Sequence, residues 1–129
     1  MAAGISGLGN DVARIGRFRR FVAEGKQALL ERIFAAGELD YALAKADPAP
    51  HLAARFAAKE AFLKALGLGW RCGITWHDVQ VVRNELGRPD IALSGRAAEL
   101  FRSAGHATIH LSCSHDGDYA FATVILERV

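Results

Sequence analysis

The chain has 129 residues, of which 51% are hydrophobic and 23% are charged, and its formal net charge is +2. These values are typical of one domain with a substantial core; they exclude a disordered chain and do not indicate general nucleic-acid binding. Two cysteines, Cys72 and Cys113, without a recognisable signal peptide favour a reduced, cytoplasmic protein over a disulfide scaffold. No stretch approaches the roughly 20 apolar residues of a membrane helix, so we expect no membrane segment.

The first third of the chain predicts one strand followed by short helices. Ile5 to Val12 is apolar and interrupted by glycine, which favours a strand that runs into a tight segment. From Val12 to about Val22 the apolar residues recur with helical spacing. Two further short helices are predicted over Gln27 to Phe34 and Glu38 to Ala46.

A long central helix is the strongest element that the sequence predicts. Asp47 is a favourable N-cap and Pro48 a favourable first helical residue. The helix is predicted to run to about Leu66, where Gly67 ends it. Bulky residues lie on its front and alanines on its back, which indicates a helix buried on more than one side.

The remaining elements mix strands with one helix. Strands are predicted over Asp78 to Arg83 and Asp90 to Leu93, and a helix over Arg96 to Ala104. Two more strands follow over Thr108 to Ser114 and Tyr119 to Leu126. The sequence therefore predicts an α+β fold, a single domain over residues 1–129 with a long central helix on a mainly antiparallel sheet.

Three charged residues of the central helix form the first candidate site. Lys59 lies in the middle of the apolar face, while Glu60 and Lys64, four residues apart, lie on its flank. Lysine is rarely buried without a partner, so this group favours an anionic ligand, with or without a metal. The alternatives are a plain surface pair for Glu60 and Lys64, and a Lys59 that extends its ammonium into water.

Asp11, at the end of the first apolar segment, has two interpretations. It could be the N-cap of the following helix, because aspartate is favoured there. It could instead be a carboxylate ligand of a hard divalent cation. Magnesium takes one or two protein carboxylates together with phosphates, and Asp11 and Glu60 would supply that pair if the first strand packs beside the central helix.

Residue type alone leaves the roles of two other groups undecided. His115 ends a strand before a turn, where a side chain meets solvent or a ligand. Arg14, Arg17 and Arg20 are spaced to form one side of a helix, which is either a solvated face or a dock for an acidic partner.

Together these motifs resemble the small acyl-carrier-protein synthase type of 4′-phosphopantetheinyl transferase. Residues 55–64 match the F-x-x-K-E-x-x-x-K motif of that family without a gap, and residues 7–12 match its Gly-x-Asp motif. Residues 38–40, 87–89 and 112–116 resemble its later blocks in order. The resemblance covers nearly the whole chain.

The resemblance implies transfer of phosphopantetheine from coenzyme A to a serine of an acyl carrier protein. It implies that Asp11 and Glu60 bind magnesium and act in catalysis with Lys64. The reaction also needs a base for the serine proton, and the candidates are Glu60 or a metal-bound water. It implies a homotrimer with sites between subunits, and carrier docking on Arg14, Arg17 and Arg20. The coenzyme A site would be lined by Arg55, Lys59, Lys64, Gly87, Pro89, Ser114 and His115.

One residue departs from the pattern of the family, which commonly has an acidic residue three positions after the aspartate of Gly-x-Asp. Arg14 stands there in this chain, which makes the docking face more basic. Two other functional hypotheses stay open. One is a non-catalytic domain that binds coenzyme A or a carrier protein, and the other is an adaptor that holds acidic proteins on its arginine row.

Overall fold

A computed structural model describes residues 2–129, whose buried side chains form one hydrophobic core. The elements follow one another as β1 (Gly4–Arg14), α1 (Ile15–Ala23), α2 (Gln27–Ile33), α3 (Ala36–Leu43), α4 (Ala49–Leu66), β2 (Val79–Arg83), β3 (Pro89–Leu93), α5 (Gly95–Ser103), β4 (Thr108–Asp116) and β5 (Tyr119–Arg128). A short 3₁₀ turn over Trp76–Asp78 precedes β2.

The strands form two antiparallel sheets. In the larger sheet the order is β1-β5-β4, so that β5 is central and β1 and β4 are the two edges. β2 and β3 form a separate hairpin. Helix α4 packs across the inner face of the larger sheet and also contacts α1, α3 and β2. The predicted α+β class, with a central helix on an antiparallel sheet, is confirmed.

Helix α4 is buried on both of its sides, as the alanine pattern predicts. Leu52 and Leu63 are buried on the bulky side, and Ala57 and Ala61 are fully buried among the alanines. Gly67 ends the helix in the left-handed conformation at φ 82°, which glycine adopts at little cost. Side chains around most of the circumference of α4 therefore contact another element.

Glycines on β1 let this strand lie almost in contact with the backbone of α4. A Cβ atom at Gly9 would lie 2.1 Å from the carbonyl oxygen of Ala61, and one at Gly7 would lie 2.4 Å from that of Ala65. Side chains alternate along a strand, so Asp11 projects from the same face of β1 as these glycines. The close approach therefore presents Asp11 to α4.

The boundary between β1 and α1 corrects the sequence prediction. The predicted helix begins at Val12, whereas β1 continues to Arg14, which pairs with Tyr119 of β5. Pairing along the central strand outweighs the local helical spacing of this segment. Asp11 is therefore a strand residue and not an N-cap, and Arg14 does not belong to the helix that carries Arg17 and Arg20.

The outer face of the larger sheet, opposite α4, exposes apolar side chains. Leu8 and Val12 of β1 are 65% and 54% exposed, and Tyr119 and Phe121 of β5 are 40% and 39% exposed. Val12 pairs directly with Phe121. These four residues are called the outer apolar face below. Within residues 2–129, no helix has both the length and the apolar composition that a membrane span requires.

Candidate functional site

Asp11 and Lys64 meet where β1 crosses α4. Lys64 Nζ donates a hydrogen bond to Asp11 Oδ1 at 2.8 Å. The Asp11 side chain is 15% exposed and the Lys64 side chain is 55% exposed, so the pair lies at the rim of the packed interface. The predicted packing of the first strand beside the central helix, on which the metal hypothesis depended, is present.

Glu60 lies one turn before Lys64 on α4 and is held by a tryptophan. The indole Nε1 of Trp70 donates a hydrogen bond to Glu60 Oε1 at 3.0 Å. Both side chains are partly buried. The carboxylate is therefore fixed by a neutral donor and not by the ion pair with Lys64 that the sequence offered as an alternative.

The carboxylates of Asp11 and Glu60 have the chemistry that magnesium requires. Each has one oxygen bonded within the protein, whereas Asp11 Oδ2 and Glu60 Oε2 accept no hydrogen bond from any residue in 2–129. That same part of the chain contains no group of three or more His, Cys, Asp or Glu side chains able to hold a metal. Two carboxylates with free oxygens are a ligand set that magnesium can use, because it takes few protein ligands and completes its shell with water and phosphate.

The structure corrects the predicted role of Lys59 as a ligand-binding residue. Its side chain is 0% exposed and forms an ion pair with Glu38, with Nζ 2.8 Å from Glu38 Oε1. Its other protons go to the carbonyl oxygens of Trp76 and Val79. All three ammonium protons have acceptors in the protein, so Lys59 neither contacts phosphate nor extends into water.

Glu38 explains why a lysine can be buried in the core. Besides Lys59, its carboxylate accepts hydrogen bonds from the backbone N–H groups of Ala35 at 2.9 Å and Val81 at 3.0 Å. This network joins α3, α4 and β2. Burial lowers the pKa of Lys59, and the charge of Glu38 opposes that shift. A paired and fully bonded charge of this kind is a structural feature of the core.

Arg55 lies in a second, basic group on the other side of α4. Its guanidinium carbon is 4.2 Å from the ring centre of Tyr41, and its Nη1 donates to the carbonyl oxygen of His51 at 3.4 Å. Arg55 is 7% exposed, and its Nε–H finds no acceptor among the described residues. A buried guanidinium with a spare donor favours an anionic ligand at this position.

The groups around Arg55 are mainly positive. The pKa of His51 is lowered first by burial and then by the charges of Arg55, Lys45 and His115. Burial also raises the pKa of the Cys113 thiol of β4 to about 11, and the charge of Arg55 opposes this shift. Arg55 and His115, two predicted coenzyme A residues, therefore both lie near His51, on the side of α4 that faces the β4 edge of the sheet.

The hairpin between β2 and β3 closes the same group. Arg83 donates a hydrogen bond to the Tyr41 hydroxyl, and its guanidinium lies 5.0 Å from the Tyr41 ring centre. A Cβ atom at Gly87 would lie 3.2 Å from Arg83 Nη2, and Pro89 pairs with Arg83 across the hairpin. Gly87 and Pro89 are therefore connected to Arg55 through Arg83 and Tyr41. The sequence prediction included neither of these two side chains.

Ser114 does not join the other predicted coenzyme A residues within one chain. It pairs with Phe121 on the outer face of the sheet, whereas His115 follows the inner-face alternation of Cys113. Ser114 therefore belongs to the surface that carries the outer apolar face.

The predicted site residues thus form two groups that one chain keeps apart. The acidic group, Asp11, Glu60 and Lys64, lies at the β1 edge of the sheet, and the basic group around Arg55 lies at the β4 edge, with β5 between them. Nine residues separate Arg55 from Lys64, which corresponds to about 180° around a helix.

The three arginines predicted to form one row, Arg14, Arg17 and Arg20, do not all lie on one helix. Arg17 and Arg20 are exposed on α1, while Arg14 ends β1 with its guanidinium 5.7 Å from the ring centre of Tyr119. Arg17 lies over Phe56 at 5.1 Å. These side chains still form an exposed basic surface from the end of β1 along α1.

The sequence prediction missed four residues that the structure places in the two groups. Trp70 contacts Glu60, and Tyr41, Lys45 and Arg83 surround Arg55 or its aromatic partner. The only sequence signal for Trp70 is a large aromatic residue directly after the glycines that end α4. No local pattern links the other three to Arg55.

Comparisons with known proteins identify the family of the chain. The model of the 4′-phosphopantetheinyl transferase superfamily matches residues 7–124. A holo-[acyl-carrier-protein] synthase of Syntrophotalea carbinolica is 64% identical over 123 residues, which is 95% of this chain and 96% of the relative. The chain therefore belongs to the 4′-phosphopantetheinyl transferase superfamily.

Solved structures place the fold within the same class. A holo-[acyl-carrier-protein] synthase from Neisseria meningitidis aligns with a TM-score of 0.86 at 31% identity, over 96% of this chain and 99% of that chain. A synthase from Bacillus anthracis in complex with CoA (3′,5′-ADP) aligns with a TM-score of 0.77 at 30% identity, over 98% of this chain and 99% of that chain.

Proposed function

We propose that this protein transfers the 4′-phosphopantetheine group from coenzyme A to a serine of an apo acyl carrier protein and releases adenosine 3′,5′-bisphosphate. The single observation that carries the proposal is the contact between Asp11 and Lys64, which joins the two most specific motifs at one place beside Glu60. Family membership supports the reaction class.

The acidic group provides what this transfer requires. Displacement at phosphorus depends mainly on positioning and on neutralising the charge that grows on the leaving group. Lys64 is half-exposed, so its ammonium can exchange Asp11 for a phosphate oxygen. Asp11 and Glu60 would hold magnesium through their free oxygens, and the cation would supply further charge neutralisation on the pyrophosphate.

The basic group around Arg55 suits the nucleotide half of coenzyme A. Arg55 offers a buried guanidinium with an unused Nε–H, and His115 offers an exposed imidazole ring as a further hydrogen-bond partner. Gly87 and Pro89 line the same region through the β2–β3 hairpin. The planar fork of arginine matches phosphate oxygens, so the guanidinium groups of Arg55 and Arg83 suit a phosphate in this region.

The complete site would lie between subunits of a homotrimer. One chain keeps the acidic and basic groups at opposite edges of its sheet, and the outer apolar face leaves Leu8, Val12, Tyr119 and Phe121 exposed. Apolar contacts of this kind are buried in stable assemblies. A closed ring would cover this face and bring the β4 edge of one subunit to the β1 edge of the next.

The carrier protein would dock on Arg14, Arg17 and Arg20. These side chains are exposed next to β1, the strand that presents Asp11. Acyl carrier proteins are acidic, and an exposed basic surface attracts such a partner and raises the association rate.

The experiment incubates the protein with coenzyme A, magnesium and apo carrier proteins of several kinds, and measures the carrier mass. We expect a gain of one phosphopantetheine per carrier serine, and loss of the reaction in Glu60→Gln. No mass gain with any carrier would contradict the transferase. Binding of coenzyme A without turnover in the wild-type protein would support a binding domain instead.

A further inference from the structure

Trp70 lies beyond the end of α4 and contacts Glu60, one of the two candidate metal ligands. Its indole N–H reaches back to Glu60 Oε1, ten residues earlier, at 3.0 Å. Gly67 makes this possible, because its left-handed conformation ends α4 and turns the chain. The hydrogen bond occupies one carboxylate oxygen and leaves Glu60 Oε2 without a partner in residues 2–129.

The ring of Trp70 is itself held in place. It lies 3.7 Å from the ring of Trp76, centre to centre, and Trp76 stacks on Phe56 at 5.3 Å. The carbonyl oxygen of Trp76 accepts a hydrogen bond from the buried Lys59 at 3.1 Å. A continuous chain of contacts therefore runs from the buried Lys59 ion pair through two indole rings to the Glu60 carboxylate.

We propose that Trp70 is a positioning residue, whose indole N–H orients the Glu60 carboxylate so that Oε2 is presented to a divalent cation. The proposal rests on the proposed function, since it takes Glu60 as a cation ligand. Hydrogen bonds behind a ligating carboxylate fix its orientation, and their loss typically weakens metal binding by about 10- to 100-fold. The partly buried setting strengthens this bond.

Two matched variants separate this role from ring packing. Trp70→Phe removes the N–H but keeps an aromatic ring against Trp76. Trp76→Phe disturbs the same stack, including its contact with Phe56, and leaves the Trp70 N–H in place. The Trp76 indole N–H has no hydrogen bond within residues 2–129 that would be lost.

The measurement is manganese(II) binding to the protein, followed by the electron paramagnetic resonance of the free ion, with and without coenzyme A. We expect Trp70→Phe to weaken binding by about 10-fold, with Trp76→Phe close to wild type. The transfer rate of Trp70→Phe should recover towards wild type as magnesium is raised. Equal manganese affinity in the wild-type and Trp70→Phe proteins would overturn the proposal.

A measurement on the wild-type fold covers the case in which Trp70→Phe does not fold. In the ¹H–¹⁵N spectrum, the Trp76→Phe variant identifies the indole N–H resonance of Trp70. This resonance should shift in Glu60→Gln and should broaden when manganese(II) is added. A Trp70 resonance unchanged under both conditions would overturn the positioning role.

Glu60→Gln separates this proposal from the proposed function. Wild-type manganese affinity in Glu60→Gln would remove the cation role on which both depend. Weakened binding in Glu60→Gln with unchanged binding in Trp70→Phe would reject Trp70 alone.

Discussion

Lys64 Nζ lies 2.8 Å from Asp11 Oδ1 and joins two sequence motifs that are 53 residues apart. The contact depends on backbone packing as much as on charge, because Gly7 and Gly9 bring β1 almost onto α4. The pair is too exposed to contribute much to stability, since ion pairs near the surface are worth about 0–1 kcal/mol. Its position next to Glu60 is the reason why we propose a role for Lys64 in the reaction.

Replacing Lys64 should separate activity from stability. We expect Lys64→Met to lower kcat/KM for coenzyme A by about 100-fold, because one charge-stabilising group is lost. The free energy of unfolding should change by less than about 1 kcal/mol. Arg96→Met is the control, since it removes a half-exposed cation on α5 together with its ion pair to Glu99 and its hydrogen bond to the carbonyl oxygen of Cys72, and should keep full activity. Equal activity in the two variants would contradict the role of Lys64.

The sequence predicted the parts of the site that depend on local pattern. The order of elements and the two-sided burial of α4 follow from apolar spacing, and the end of α4 follows from Gly67. The role of Lys59 could not be predicted, because its partner Glu38 lies 21 residues away and no periodicity links them. The wrong boundary at Val12 has the same cause, since pairing with β5 is a contact distant in sequence.

Lys59 should prove structural when it is replaced. Lys59→Met leaves the Glu38 carboxylate buried without its cation, and breaking a buried pair costs about 3–5 kcal/mol. Urea unfolding measures this loss. Lys26→Met, at an exposed lysine with only a 4.0 Å contact to Glu24, should be close to wild type. Wild-type stability together with a raised KM for coenzyme A in Lys59→Met would instead assign Lys59 to the ligand.

Gly9 should tolerate no side chain. Gly9→Ala places a methyl group against the Ala61 carbonyl oxygen, which forces β1 away from α4 and moves Asp11. We expect a loss of about 1–3 kcal/mol in unfolding free energy and a larger relative loss of activity. Gly16→Ala has no atom within 4 Å of the added carbon and lies in α1, so it should gain about 0.5–1 kcal/mol. Calorimetry and the transfer assay measure both variants, and full activity in Gly9→Ala would contradict the close-packing requirement.

Charge reversal tests the docking surface on α1. We expect Arg17→Glu to raise KM for the carrier protein by about 10-fold, which corresponds to about 1.4 kcal/mol, and to leave KM for coenzyme A unchanged. The effect should shrink as salt is added. Arg19→Glu makes the same charge change and also loses one contact, the ion pair with Asp47 at 2.7 Å. A similar rise in both variants would indicate net charge alone and dismiss the arginine row.

Mixing inactive subunits tests whether the site lies between chains. Arg55→Ala removes the basic group and Glu60→Gln the acidic group, and each protein alone should be inactive. Suppose that each site takes the acidic group of one subunit and the basic group of its neighbour. In a randomly mixed ring, each of these groups is intact in about half of the subunits. About one quarter of the sites should therefore contain both groups intact and be active.

The control for this experiment combines two lesions in the same group. Asp11→Asn mixed with Glu60→Gln should recover no activity, because both changes damage the acidic half and no pair of neighbours supplies it intact. Two affinity tags establish that mixed oligomers form before activity is measured. Recovery in neither mixture, although mixed oligomers are present, would place the whole site within one chain, which the opposite positions of Arg55 and Lys64 on α4 argue against.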